Sequence, residues 1–345
     1  MTHAWSVPVV DISSYVSGGD AEARAAVARA VDEANRTVGF LQVVGHGVPD
    51  AAIAGLIGAI DEVFALPLGE KTSLCAPPKE NRGYFAPQSS SLARTIGIQQ
   101  TYGGNDYFEA FNVGTSTDDF PGLELPVPPY SRNVWPAIGG WRERADTYRS
   151  EAARVTRVLV DIYADALDLP AGFFVPHIDH PVEMLRMVHY DLPPGSPPPA
   201  PGQRGMGEHT DFGIVTVLWA DRVPGLQVLG VDGEWHDVLP APGALLVNLG
   251  DLMARWTNDR WLSTVHRVIP PVVDGKIARR RSAAFFQDGN FDALIETLPS
   301  CLAEDGTSFY GPIDVATHLA HKVAAGRGPL TPGAQREADR VRAAG

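Results

Sequence analysis

The sequence predicts an α+β fold: a distorted double-stranded β-helix, or jelly roll, with helices packed around it. Three observations predict it. From residue 183 onward, short β-rich runs follow one another between turn signals: MLRMVHYDL, GIVTVLWA, GLQVL, EWHDVL, ALLVNL, TVHRVIPPV and KIARRRSAAFFQ. That spacing belongs to a sandwich or barrel. Upstream, runs with helical periodicity alternate with short strands. A chain of 345 residues, 44% hydrophobic and 20% charged, is also long enough for a large core beneath an ordinary polar surface.

The elements follow in order. VPVVDI (7–12) reads as a short strand. Val27, Ala30, Val31 and Ala34 recur at helical spacing, so residues 20–37 form an amphipathic helix. GFLQVVGHGVP (39–49) is a strand closed by glycines and proline. Ile53, Leu56, Ile57, Ile60, Val63 and Phe64 then mark one face of a second helix, with Asp50 placed to cap it and Pro67 beyond its end. Residues 75–135 are rich in Gly, Pro, Asn and Ser and include the strand DYFEAFNVG (106–114); a long helix follows over about 138–168. In the β-rich half, Asp232-Gly233 and Asp274-Gly275 have the composition of hairpin turns. DLPPGSPPPAPGQRGMG (191–207) is a stiff surface loop or connector. The expected division is an N-terminal helix/strand region (1–170), a jelly-roll core (171–300) and a C-terminal extension (301–345), packed as one compact domain.

Composition narrows the function. A net charge of −13 argues against nucleic acid or an anionic membrane surface as partner, while leaving an acidic small molecule open. Two cysteines, Cys75 and Cys301, make no disulfide framework. No basic leader with an apolar segment and no apolar run of spanning length occurs. The expectation is a cytoplasmic protein, monomer or homodimer, acting on a small molecule.

GEHTDFGIVTVL (207–218) carries the chemistry. On a strand the side-chain period is two, so His209 and Asp211 share a face. Of the remaining histidines the best third ligand is His266 in STVHRVIPP, on another β-run, with 54 residues between it and Asp211. Two histidines and one carboxylate suit a facial triad that leaves adjacent metal positions open. A His-x-Asp pair alone is common by chance; RRRSAAFFQ (279–287) adds weight. Arg280 and Ser282 share one strand face and suit a bidentate grip on a carboxylate, and Arg279 and Arg281 turn the other way. Arg280 lies 14 residues after His266, so its strand is expected to adjoin the His266 strand. Tyr190, before the proline loop, either reaches the same anion or packs as a structural tyrosine.

Together these motifs resemble the iron(II)/2-oxoglutarate-dependent dioxygenases of the isopenicillin N synthase-like family. VPVVDIS and GFLQVVGHGVP look like its N-terminal region; HTDFGIVTVL, GLQVL, LLVNLGDLMARWTND, STVHRV and Arg280-x-Ser282 look like its catalytic core, in the family's order. The resemblance implies that His209, Asp211 and His266 bind Fe(II), and that Arg280 and Ser282, assisted by Tyr190, hold the distal carboxylate of 2-oxoglutarate. It further implies dioxygen as oxidant and oxidation of a small molecule (hydroxylation, desaturation or cyclisation) in specialised metabolism, with release of succinate and CO2. The alternative within the fold is an iron oxidase that dispenses with 2-oxoglutarate, of the isopenicillin N synthase or aminocyclopropane carboxylate oxidase type. One departure stands out: where plant members read Asn-x-Tyr-Pro, this chain reads Val188-His189-Tyr190-Asp191. Candidates for the substrate pocket are Arg82, Tyr84 and Phe85 in NRGYFAPQ, together with Arg94, Phe108, Phe111 and Phe286. Each aromatic also fits a core position, and Arg82 and Arg94 fit a substrate carboxylate or an ordinary surface.

Overall fold

The computed structural model describes residues 5–77, 79–89, 92–96, 106–191, 204–270, 272–273 and 276–325. Two sheets form the framework. In chain order the strands are β1 (Val9–Asp11), β2 (Phe40–Val44), β3 (Gly83–Phe85), β4 (Glu109–Gly114), β5 (Pro181–Tyr190), β6 (Met206–His209), β7 (Val215–Ala220), β8 (Leu226–Leu229), β9 (Trp235–Asp237), β10 (Leu245–Leu249), β11 (His266–Val268), β12 (Val272–Val273), β13 (Lys276–Ile277) and β14 (Arg280–Asn290). The larger sheet runs β1-β2-β10-β7-β14-β5-β4-β3 and the smaller β6-β11-β8-β9. All pairs are antiparallel except β1 with β2. N-terminal strands therefore form both flanks of the large sheet.

Alternation along the strands sorts the side chains into two cores. On one face of the large sheet, Leu185, Met187, Val217, Val247, Ala283 and Phe285 pack against the helices. On the other, Phe40, Val188, Tyr190 and Leu246 meet Leu226, Val228 and Val268 of the small sheet. His209, His266, Arg280 and Ser282 are carried by strands that border this second, inner space.

The helices are α1 (Ser13–Val16), α2 (Ala21–Thr37), α3 (Asp50–Phe64), α4 (Leu68–Ser73), α5 (Trp141–Ala166), α6 (Asp251–Trp256) and α7 (Val315–Ala325). On α5, Trp141, Ala145, Tyr148, Ala152, Val155, Leu159 and Ile162 recur at three- and four-residue spacing and are buried. The Trp141 indole donates to the Ala59 carbonyl at 2.8 Å and ties α5 to α3. Asp20 caps α2 by accepting from the Ala23 N–H at 2.8 Å. The expected cap on α3 is displaced: Pro49 takes the N-cap position, and Asp50 is the first helical residue, acting through its charge in the first turn.

The β-rich half departs from the sequence reading at two points. TVHRVIPPV and KIARRRSAAFFQ each break, giving the short β12–β13 pair between β11 and β14. Asp232-Gly233 does turn between β8 and β9, with Gly233 at φ +81°. Asp274-Gly275 and residues 192–203 of the proline-rich loop lie outside the described residues.

Candidate metal centre and co-substrate site

His209 is the last residue of β6, and His266 the first of β11; the two are direct cross-strand partners in the small sheet. Their rings stand 4.2 Å apart between centroids. Asp211 is not on the His209 strand. It lies two residues past the end of β6, where the chain leaves the small sheet for β7 of the large one. The shared strand face expected for His209 and Asp211 therefore does not exist. They converge because the crossover between sheets turns the carboxylate back toward the imidazoles. Gly250 makes room for this crossover, since a Cβ there would fall 2.2 Å from the Gly213 carbonyl oxygen.

Each of the three side chains is held by one atom and free at another. Nδ1 of His209 meets the Gly207 carbonyl at 2.8 Å, and Nδ1 of His266 meets the Thr264 carbonyl at 3.1 Å. A carbonyl can only accept, so both rings carry a proton on Nδ1 and turn Nε2 inward as the atom left for a metal. Oδ2 of Asp211 accepts from the Thr216 hydroxyl at 2.5 Å and the Asn248 amide at 2.7 Å. Thr216 and Asn248 are themselves cross-strand partners on β7 and β10. Oδ1 is left 3.9 Å from Nε2 of each histidine. All three side chains are buried, and their ligand atoms lie within 4.8 Å of one another.

Charge supports the same reading. Burial and the facing His266 imidazole push His209 down to about 3, so it is neutral at pH 7. Burial alone would raise the Asp211 carboxyl, but the two imidazoles, Thr216 and Asn248 hold it below the usual carboxylate range. One carboxylate and two imidazoles, with Oδ1 and the two Nε2 atoms brought to one point, fit a borderline divalent metal.

A second layer fixes the segments that carry these ligands. The Asp251 carboxylate accepts from Ser263 at 2.7 Å, three residues before His266, and from Thr210 at 3.2 Å, between His209 and Asp211. Its own N–H donates to the Asp211 carbonyl at 2.9 Å. Lys322 of α7, almost fully buried, pairs with Asp251 at 2.5 Å. The sequence reading missed Thr216, Asn248, Asp251 and Lys322; only strand alternation next to the ligands could have flagged the first two.

Arg280 opens β14, which lies between β5 and β7 in the large sheet. It therefore faces the His266 strand across the inner space and does not adjoin it as expected. Its direct partner across β5 is Tyr190, with the guanidinium 5.3 Å from that ring's centroid. Arg280 is 2% exposed, donates to Ser282 at 3.4 Å, and pairs with no carboxylate among the described residues. A buried guanidinium without an anion is costly unless an anion arrives, and Ser282 and Tyr190 are placed beside it. Arg281 points the other way, as alternation requires, and binds Asp61 at 2.8 Å and Asp221 at 3.4 Å; Arg279 is exposed beside Asp61.

The candidate substrate residues separate by face. Phe85 and Phe108 lie toward the inner space, as does Phe286, the cross-strand partner of both Met184 and Thr216. Phe111 does not: it is fully buried on the helix side, edge-on to Trp141. Tyr84 is likewise outside the pocket, donating to Glu109 at 2.8 Å in a buried cluster with Lys71 and His189. Arg82 gives its guanidinium to main-chain carbonyls, including Thr115 at 2.7 Å and Pro129 at 2.9 Å, and has structural work in place of a substrate. Arg94 falls in the turn Leu92–Ile96, and its side chain lies outside the described residues.

Comparison with known proteins decides the family. Residues 7–138 match the N-terminal family of the non-haem dioxygenase in morphine synthesis, and residues 181–289 match the 2OG-Fe(II) oxygenase superfamily. The 2-oxoglutarate-Fe(II) type oxidoreductase hxnY of Emericella nidulans is 34% identical over 329 residues, covering 93% of this chain and 90% of its own. The chain belongs to the 2OG-Fe(II) oxygenase superfamily. It is an oxidoreductase, a dioxygenase with a jelly-roll core that uses ferrous iron and 2-oxoglutarate. Validamycin A dioxygenase of Streptomyces hygroscopicus subsp. limoneus is 33% identical over 299 residues, covering 85% of this chain and 80% of its own. Among solved structures, a full-length Neurospora crassa protein in complex with alpha-KG and thymine superimposes with a TM-score of 0.80 at 27% identity, over 94% of this chain and 98% of that one. None of the described helices is long and apolar enough to cross a membrane.

Proposed function

We propose that this oxygenase oxidises a C–H bond of a small, ring-bearing molecule of specialised metabolism in the cytoplasm, with hydroxylation as the basic outcome. The observation that carries the residue assignment is the convergence of three single free atoms, Nε2 of His209, Oδ1 of Asp211 and Nε2 of His266. These atoms hold the iron. Arg280 grips the distal carboxylate of 2-oxoglutarate, with Ser282 and Tyr190 beside it, and so fixes which way the keto-acid end points. Bound there, ferrous iron and 2-oxoglutarate supply the reduction of dioxygen: one oxygen atom enters succinate as CO2 leaves, and the other reaches the substrate, the keto acid and the C–H bond each giving two electrons. Phe108, Val188 and Tyr190 line the space with apolar surface that keeps bulk water from the reacting centre. A ring-bearing substrate is supported by the inner aromatics and by the thymine complex of the Neurospora relative. The oxidase alternative is not favoured, because the hxnY relative is a 2-oxoglutarate protein by description and the Neurospora relative is solved with alpha-KG bound.

The test is direct. Wild-type protein binds one ferrous ion and converts 2-oxoglutarate to succinate, whereas Asp211→Ala folds but neither binds iron nor forms succinate. Arg280→Ala weakens 2-oxoglutarate binding by one to two orders of magnitude, the loss of about 1.5–3 kcal/mol for a charge-assisted pair. Unchanged 2-oxoglutarate affinity in Arg280→Ala, or iron retained by Asp211→Ala, overturns the assignment.

A further inference from the structure

A second arginine shares the inner space with Arg280 and has no ion-pair partner among the described residues. Arg186 sits four residues before Tyr190 on β5, hence on the same face and about 13 Å along the strand. Its cross-strand partners are Ala284 on β14 and Asn112 on β4. The guanidinium stands 5.6 Å from the Phe85 ring centroid and 5.3 Å from that of Phe108. Its Nε is buried without a hydrogen-bond partner, and no ion pair joins Arg186 to any described residue. The Asn112 side-chain carbonyl, opposite on β4, is also buried and unpartnered.

The neighbouring acids do not supply the missing anion. Asp106 is buried and spends its carboxylate on the N–H groups of Leu92 and Gly207, at 2.7 and 2.8 Å. Asp211 is committed to Thr216, Asn248 and the metal position. Segments 97–105 and 192–203, which continue from Leu92–Ile96 and β5, contain neither Asp nor Glu. Burial lowers the Arg186 pKa, with Tyr190, Asp106 and Asp211 opposing that only in part. The loaded site makes the imbalance plain. The two charges of ferrous iron and that of Arg280 are matched by Asp211 and by doubly charged 2-oxoglutarate, and Arg186 is left with no carboxylate in ion-pair contact among the described residues, Asp106 acting on it only from a distance.

We propose that Arg186 is the substrate receptor of this oxygenase, binding the carboxylate of a planar, unsaturated monoacid whose ring lies among Phe85, Phe108 and Phe286. This rests on the oxygenase reading above and narrows its substrate class. A planar guanidinium recognises a carboxylate through two parallel N–H···O bonds. The two phenyl rings against Arg186, both from the β3–β4 side of β5, offer apolar surface to an aromatic or conjugated body. Phe286, beside Thr216 on the neighbouring strand, extends that surface toward the metal ligands. An acid gripped at Arg186 thus presents its far end to the iron, which makes the carbon remote from the carboxylate the one oxidised.

Isothermal titration calorimetry under argon, on protein loaded with ferrous iron and 2-oxoglutarate, tests this with benzoate, phenylacetate and trans-cinnamate, each against its neutral primary amide. At least one acid is expected to bind ten times or more tightly than its amide. Arg186→Met brings that ratio to near one while the 2-oxoglutarate affinity stays within twofold, and Arg186→Lys restores part of the ratio. The proposal is overturned if no acid is preferred to its amide by the wild-type protein. It is equally overturned if Arg186→Met keeps the preference, or if that variant loses 2-oxoglutarate in place of the acid. The wild-type ratio stands even where a variant does not fold. Failure of the oxygenase reading shows separately, as absence of iron binding and of succinate.

Discussion

At the scale of single residues, the metal position depends on how Asp211 is divided between its two oxygens. Oδ2 takes two strong hydrogen bonds from Thr216 and Asn248, adjacent residues on β7 and β10 that reach the same atom. With that oxygen fixed, Oδ1 has one orientation, and the carboxylate cannot swing to bridge the two histidines. Outer-shell partners of this kind contribute about 10–100-fold to metal affinity. Thr216→Val and Asn248→Ala are therefore each expected to weaken ferrous binding within that range, and the double variant more than either. An anaerobic iron titration reads this directly. Equal affinity in wild type and double variant would mean that the crossover backbone alone orients Asp211.

At the scale of elements, the brace behind the metal segments is supplied by the last described helix. Lys322 on α7 neutralises Asp251, and Asp251 joins the Thr210 and Ser263 segments that carry the ligands. Lys322→Met leaves the largely covered Asp251 beside two hydroxyls without its ion-pair partner. Breaking one side of a buried pair costs about 3–5 kcal/mol. The expected outcome is a lowered melting temperature together with weaker iron binding, and Asp251→Asn in the same chain should recover part of the loss. A melting temperature unchanged from wild type would show α7 to be no brace. How much of this is legible in the sequence depends on distance along the chain. His209, Asp211, Arg280 and Ser282 are readable because their spacing is local; alternation accounts for Arg280 and Ser282 sharing a face of β14, whereas Asp211 reaches His209 through the crossover between sheets. What alternation does not tell is which sheet a strand joins. That choice is made by pairing with β5 and β7, far away in sequence, so Arg280 is expected beside the wrong neighbour. Phe108 and Phe111 show a signal left unused. Three residues apart on one extended segment, they fall on opposite faces, and only Phe108 reaches the inner space. Arg82 has no such signal, because its partners are backbone carbonyls from distant loops.

At the scale of the whole molecule, the interface between the large sheet and its helices gives the fold a pH dependence separate from the metal centre. Glu183, on the helix-facing side of β5, is almost fully buried and accepts from Gln287 at 3.0 Å. Burial raises its carboxyl from 4.5 to about 7, with Arg157, Arg149 and Gln287 opposing that only in part. An acid raised on folding makes the folded state hold a proton that the unfolded state has released. Stability thus falls as pH climbs from about 4.5 to about 7, then levels off; the full change is on the order of 3 kcal/mol. Asp288, pushed up to about 7 by burial and by the charges of Asp211 and Glu183, titrates over the same window. Glu183→Gln keeps a polar partner for Gln287 but carries no charge at any pH. Thermal unfolding of the metal-free protein between pH 5 and 8 should therefore fall by several degrees in wild type. In Glu183→Gln the fall should be much shallower, with the remainder due to Asp288, and the variant should be the more stable of the two at pH 8. A steep fall of equal size in both proteins would place the titrating group elsewhere and leave Glu183 ionised against Arg149 and Arg157 throughout.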